Sequence, residues 1–120
     1  MDFELTEEQR ALRDSIVEFA QRELNDDVTG RDKAGVFSRE AWRKCADMDL
    51  LGLPVPEEYG GVGADALTTV VALEALGYGC ADNGLIFSLN AQMWACETPI
   101  VRFGTEEQKK HFLPKLAKIG

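Results

Sequence analysis

From Gly84 to Arg102 the chain reads GLIFSLNAQMWACETPIVR, a passage whose only charges are Glu97 and the closing Arg102. Leu85, Ile86, Phe87, Leu89, Met93, Trp94, Ile100 and Val101 supply large apolar groups, and Ser88, Asn90, Gln92 and Thr98 interrupt them with neutral polar ones. A helix that is apolar around most of its circumference must be covered on more than one side, and its polar groups then need partners or must face a cavity. The passage is either a core helix or the wall of a pocket, and the remaining chain has to be arranged around it.

The flanking segments carry helix signals. Thr6-Glu7-Glu8-Gln9 is a capping box that opens a helix whose inward stripe is Leu12, Ile16, Phe19, Ala20 and Leu24. Asn25 to Gly35 has charges and two glycines without periodicity and reads as a loop. Ser38 caps a second helix, with Phe37 and Trp42 at the positions of a hydrophobic staple and Gly52 at its end. The stretch LGLPVPEEYGGVG from Leu51 to Gly63 reads as an ordered loop with tight turns. It either brings backbone close to a ligand or crosses the structure with Tyr59 as a plug. Asp65 caps a third helix with Leu67, Val70, Val71, Leu73 and Leu76 as its apolar positions, stopped by Gly77 and Gly79. Asp82 caps the central helix, and Pro99 is expected to break it. A second box, Thr105-Glu106-Glu107-Gln108, starts a helix through Phe112, and Pro114 is placed to open a further turn. No segment alternates like a strand. The expected fold is all-α, an orthogonal or up-down bundle of about five helices in one domain, residues 1–120.

Bulk properties narrow the function. A chain of 120 residues is long enough for one core and too short for two. Its net charge of −8 argues against nucleic acid, which requires a basic face to displace counterions. The acidity is uneven: residues 1–32 hold ten acids and four bases, whereas residues 102–120 hold five bases and two acids. Cys45, Cys80 and Cys96 lie 35 and 16 residues apart with no C-x-x-C pair, so neither a zinc site nor a disulfide framework follows. Buried free thiols, an acidic amino terminus without leader character and the lack of an 18-residue apolar run point to a cytoplasmic protein with no membrane span.

No self-contained active site is legible. The glycines of Gly60-Gly61-Val62-Gly63 have the wrong spacing for a phosphate loop. The lone His111 follows Lys109-Lys110 on a charged face, so no nucleophile has a partner at motif spacing. Glu74 and Glu97 are the carboxylates in apolar contexts, where burial raises a pKa, but neither has a paired group.

The segments LTEEQRALRDSIVEFAQREL, DLLGLP, VPEEYGGVGAD, LEALGYGCAD and ETPIVRFGTEEQKKHFLPKLAKIG, in this order over essentially the whole chain, resemble the amino-terminal helical domain of the acyl-CoA dehydrogenase family. The resemblance implies a parent flavoenzyme several times longer, with a middle β-domain, a carboxy-terminal helical bundle and a homotetrameric assembly. In such enzymes a glutamate takes the α-proton of an acyl thioester while a hydride passes to FAD. The resemblance also implies that the helix over Gly84–Cys96 walls the acyl slot, with Phe87, Ser88, Ala91, Gln92 and Ala95 as substrate-binding residues. Small groups at Ser88, Ala91 and Ala95 would leave room for a chain, and Phe87 and Trp94 would set its depth. No residue here matches the family's base, so this piece supplies no catalytic residue and is expected to be inactive and to hold no FAD stably by itself. GYGCADNGLIF further resembles the branch acting on aminoacyl or prolyl groups of a carrier protein, which keeps both acyl-CoA and a carrier-protein thioester open. Two alternatives also stand: a flavin oxidase or monooxygenase of the same fold, and a non-catalytic helical interaction module.

Overall fold

The computed structural model describes residues 2–120 and, among them, contains only helices, turns and loops. The helices are α1 (Glu7–Glu23), α2 (Val28–Ala34), α3 (Arg39–Asp47), α4 (Ala66–Gly79), α5 (Asn83–Asn90), α6 (Thr98–Phe103) and α7 (Glu106–Lys118), with a single 3₁₀ turn at Glu57–Tyr59. A π-helical segment, Ala91–Glu97, joins α5 to α6. Each of its flanking residues, Asn90 and Thr98, has right-handed helical dihedrals, so residues 83–103 are one unbroken helical run.

Most starts fall where the side chains can replace missing backbone partners. Thr6 and Thr105 each accept from the third residue of their helix, and Gln9 and Gln108 return the bond. Ser38, Asp65 and Asp82 cap α3, α4 and α5 in the same way. The Phe37 and Trp42 rings lie 5.9 Å apart, forming the staple.

Three expectations need correction. The segment 25–35 is not all loop, because α2 occupies Val28–Ala34; it buries no residue and so has no apolar period to read. With α2 counted and residues 83–103 taken as one run, the bundle has six helices, in line with the expected all-α bundle of about five. Pro99 does not break the central helix. The π-segment widens the turn just before it, and the Thr98 N–H and hydroxyl both bond the Met93 carbonyl five residues back. Pro114 opens no new turn but lies inside α7 on its exposed side, where water can replace the lost backbone bond.

The main core joins Ile16, Phe19 and Leu24 of the α1 side to Leu73 and Leu76 of α4 and to Leu85, Leu89 and Met93 of the central run. A second cluster, Val55, Tyr59, Leu113 and Ala117, holds α7 against the Pro/Gly loop. Tyr59 is the plug: its ring is buried and its hydroxyl donates to Glu106 Oε1 at 2.7 Å. The loop's amides turn inward, with Gly61, Val62, Gly63 and Ala64 N–H bonding the carbonyls of Pro56, Gly52, Val55 and Leu53. These bonds make the glycine-rich part of the loop a crossover held to its own backbone. Asn25 ties the corner between α4 and α5 to the end of α1, donating to the Gly79 carbonyl at 2.9 Å and accepting from the Ala81 N–H at 2.8 Å. Not all of the apolar positions of α4 are covered: Leu67 and Val70 are exposed.

The α1–α4 packing depends on close backbone approach. A Cβ on Gly79 would stand 2.8 Å from both Ala20 Cβ and the Val17 carbonyl oxygen, whereas one on Gly77 would meet nothing within 4 Å. Gly79→Ala is therefore expected to destabilise the fold by about 1–3 kcal/mol through overpacking. Gly77→Ala, on the open side of the same helix, should stabilise it by roughly 0.5–1 kcal/mol through backbone entropy. Urea unfolding of both variants checks the pair, and equal shifts in one direction would contradict this packing.

Candidate functional site

The central run presents two unlike faces. Leu85, Leu89 and Met93 point into the core and are 1%, 0% and 0% exposed. Phe87 is 74% exposed, Ala95 is exposed, and Ser88 and Ala91 are half-buried, so the four form an open strip with one bulky ring at its amino end. Ser88 and Asn90 bond back to the Gly84 and Ile86 carbonyls at 2.8 and 2.9 Å, leaving the strip's own polar groups largely satisfied. Trp94 packs against the main core, which leaves Phe87 as the strip's large free group.

Gln92 differs from the other four. Its Nε2 donates to Glu97 Oε2 and to the Leu116 carbonyl oxygen of α7, both at 2.8 Å. Both protons of the amide nitrogen are thereby used. The acceptor from α7 is a carbonyl, which cannot donate, so the sense of the amide is fixed: turning it over would set two oxygens against each other.

Glu97 is the buried carboxyl of this network, 0% exposed. Loss of hydration pushes its pKa up to about 7, partly offset by the bond from Gln92. No charged side chain contributes to that shift. Its Oε1 is buried without a partner among the described residues. Such a pKa suits a general base, but neither oxygen is open to a substrate. Glu74 faces solvent instead, and so does His111. Cys45 and Cys80 are buried free thiols, while Cys96 is exposed, contrary to the expectation that all three are buried.

A cleft of about 520 Å³ at the amino end of α5 is lined in part by Thr29, Arg31, Asp32, Asp82 and Asn83. Arg31 Nη2 stands 3.6 Å from Asp82 Oδ2, and its Nε and Nη2 have no hydrogen-bond partner among the described residues. The two carboxylates there oppose an anion, and the arrangement is a loose ion pair fastening α2 to the cap of α5.

The Glu97 shift has a definite sign. Because the folded state holds the proton more tightly than the unfolded chain, the contribution is complete below the ordinary glutamate pKa of 4.5 and is lost as pH rises towards about 7. The stability of the unsubstituted chain minus that of Glu97→Gln should fall by on the order of 3 kcal/mol between pH 4 and pH 8. Urea titrations at both pH values measure it; a difference independent of pH would show that the carboxyl is not desolvated.

Comparison with known proteins agrees with this architecture. Residues 6–119 match the family described as "Acyl-CoA dehydrogenase, N-terminal domain". The L-prolyl-[peptidyl-carrier protein] dehydrogenase of Pseudomonas fluorescens is 40% identical over 117 residues, covering 98% of this chain and 30% of that protein. The mitochondrial short-chain specific acyl-CoA dehydrogenase of Rattus norvegicus is 36% identical over 120 residues, covering 98% and 29%. Among solved structures, the prolyl acyl carrier protein oxidase AnaB superposes with a TM-score of 0.92 at 48% identity, over 96% of this chain and 30% of that one. The chain thus spans about 30% of the length of the relatives it matches. In helical architecture, capping and sequence over residues 6–119, it belongs to the acyl-CoA dehydrogenase family through that family's amino-terminal domain.

Proposed function

We propose that this chain forms one wall of the acyl slot in a flavin-dependent dehydrogenase that desaturates an acyl thioester, with Phe87, Ser88, Ala91, Gln92 and Ala95 as the wall. The observation that carries the reading is the open strip itself: an otherwise apolar helical run leaves small side chains at Ser88, Ala91 and Ala95 uncovered or half-covered beside an exposed Phe87. A wall of this kind excludes water, orients an acyl chain by shape and limits its length. A carrier-protein thioester is the preferred handle. The support is the 40% and 48% identity to proteins described as prolyl-carrier dehydrogenase and oxidase, against 38% for a probable acyl-CoA dehydrogenase of Bacillus subtilis and 36% for the short-chain enzyme.

The redox chemistry belongs to FAD, which would accept the hydride; structures of the 38% identical PigA include a FAD complex. The described residues do not compose a place for it. The glycine-rich turn at 60–63 uses its amides internally, and the buried Glu97 is closed off from any ligand. The chain's part is to shape and position, and the base and the flavin contacts lie elsewhere in the polypeptide.

The test is the native polypeptide from its source cell, isolated with an antibody to this domain. The expected band is several times 13.3 kDa and carries flavin absorbance, while the 120-residue chain alone is colourless and inactive. In that full polypeptide, Ala91→Phe should lower kcat/KM about tenfold or more for the bulkiest accepted acyl group and leave smaller ones nearly unaffected. A native band near 13.3 kDa without flavin would overturn the proposal.

A further inference from the structure

The stretch between α1 and α3 is fastened at its two ends and almost nowhere between them. At one end Asn25 makes its two bonds to the α4–α5 corner. At the other, Ser38 caps α3 and the Phe37 ring packs on Trp42. From Asp26 to Phe37 no residue is buried, and among the described residues no hydrogen bond links this segment to another element. Its backbone bonds close on themselves, Arg31 N–H to the Asp27 carbonyl and Val36 N–H to the Arg31 carbonyl. The two residues that bound α2, Asp27 and Gly35, are both left-handed, with φ of 46° and 66°. Each is a sharp bend at which a small change of dihedrals swings the short helix as one piece.

Between α2 and the start of α5 lies the cleft of about 520 Å³. One polar contact joins its two sides, Arg31 Nη2 to Asp82 Oδ2 at 3.6 Å, which is too long for a hydrogen bond. Arg31 Nε and Nη2, the donors along one edge of the guanidinium, are buried and lack hydrogen-bond partners among the described residues. A formed pair of this kind closes to about 2.8 Å. Asp82 is divided between two tasks: Oδ1 accepts from the Leu85 N–H at 3.1 Å, and Oδ2 faces Arg31. Arg31 also lines a smaller cleft of about 200 Å³, with Glu23 and Glu40, which share Lys44. A guanidinium that leaves Asp82 therefore meets carboxylates instead of an apolar wall, which keeps the cost of parting low.

We propose that residues 26–37 form a lid over the amino end of α5, hinged at Asp27 and Gly35 and latched by Arg31 on Asp82. Closing needs a further approach of only about 1 Å, enough to bring the ion pair to hydrogen-bond length and to satisfy the orphaned donors. Opening uncovers Asn83 and Gly84, about one turn before Phe87, and turns Arg31 towards Glu23 and Glu40. Because Asn25 and Ser38 hold the ends, the motion leaves the core in place. A lid of this kind controls when water and solutes reach the cleft. The inference does not depend on the slot reading.

Hydrogen exchange followed by mass spectrometry on the full polypeptide tests the lid. Peptides covering residues 28–36 are expected to exchange about tenfold or more faster than those of α1 and α4, at rates unchanged by low urea, as local opening requires. Asp82→Asn keeps the cap of α5, since asparagine caps as well as aspartate, and removes the charge that holds Arg31. It should speed exchange over 28–36 by about two- to tenfold and leave the peptides of α5 unchanged. Arg31→Gln should have the same effect, and the double variant should add nothing to either, because all three break one contact. Exchange over 28–36 no faster than in α1, or a rate indifferent to both single substitutions, would overturn the lid, since a helix that merely frays has no latch to lose.

Discussion

The hydrogen bond that Gln92 sends to the backbone of α7 is the constraint on which the centre of this domain depends. It fastens the middle of the apolar run to the last turns of the chain's final helix, and it does so from within a π-helical turn. The turn is held locally by Thr98, whose N–H and hydroxyl both reach the Met93 carbonyl. It is held from the side by Glu97, whose carboxyl remains in the interior because burial favours its protonated form. Each part alone is costly: a widened helical turn, a proline after it, a carboxyl without water. Together they are mutually compatible, since the widened turn relieves the proline and brings glutamate to glutamine.

Around that feature the domain is thin. Its smallest extent is 21 Å, about two helix diameters. In a two-layer arrangement an apolar run can be covered by the other layer and by neighbours, but one strip stays outward, and here it is the strip of Phe87, Ser88, Ala91 and Ala95. Leu67 and Val70 on α4 are uncovered for the same geometric reason. The core, by contrast, is closed: Ile16, Leu24, Leu51, Leu76 and Leu89 have almost no contact with water.

What the sequence made legible follows the range of the interaction concerned. The caps at Thr6, Ser38, Asp65, Asp82 and Thr105 involve residues three apart, so each could be placed from the local string. The Tyr59 plug was foreseeable as an aromatic in a Pro/Gly loop, although its partner Glu106 was not, being 47 residues away. Helix α2 gives no sequence signal because nothing on it is buried, and hydrophobic period is the mark by which a helix is legible. The central network was illegible for a different reason. An α-helical wheel turns Gln92 and Glu97 well apart, and only a wider turn makes them neighbours, so reading at the usual period placed Gln92 with the strip and left Glu97 alone. The outward placement of Phe87, Ser88, Ala91 and Ala95 could be read because it follows from helical spacing and needs no partner.

The π-helical turn also makes chain length a structural variable. A wide turn holds about one residue more than the α-turn it replaces. Deleting a residue between Ala91 and Glu97 would allow the run to rewind as a plain α-helix, rotating everything beyond it by about 100°. Pro99 would then confront an ordinary turn, and α7 would lose its register against the Gln92 amide. Insertions and deletions are usually absorbed in loops, but here the sensitive length lies inside a helix. The shape of the outward strip is encoded by the number of residues in that turn as much as by their identities.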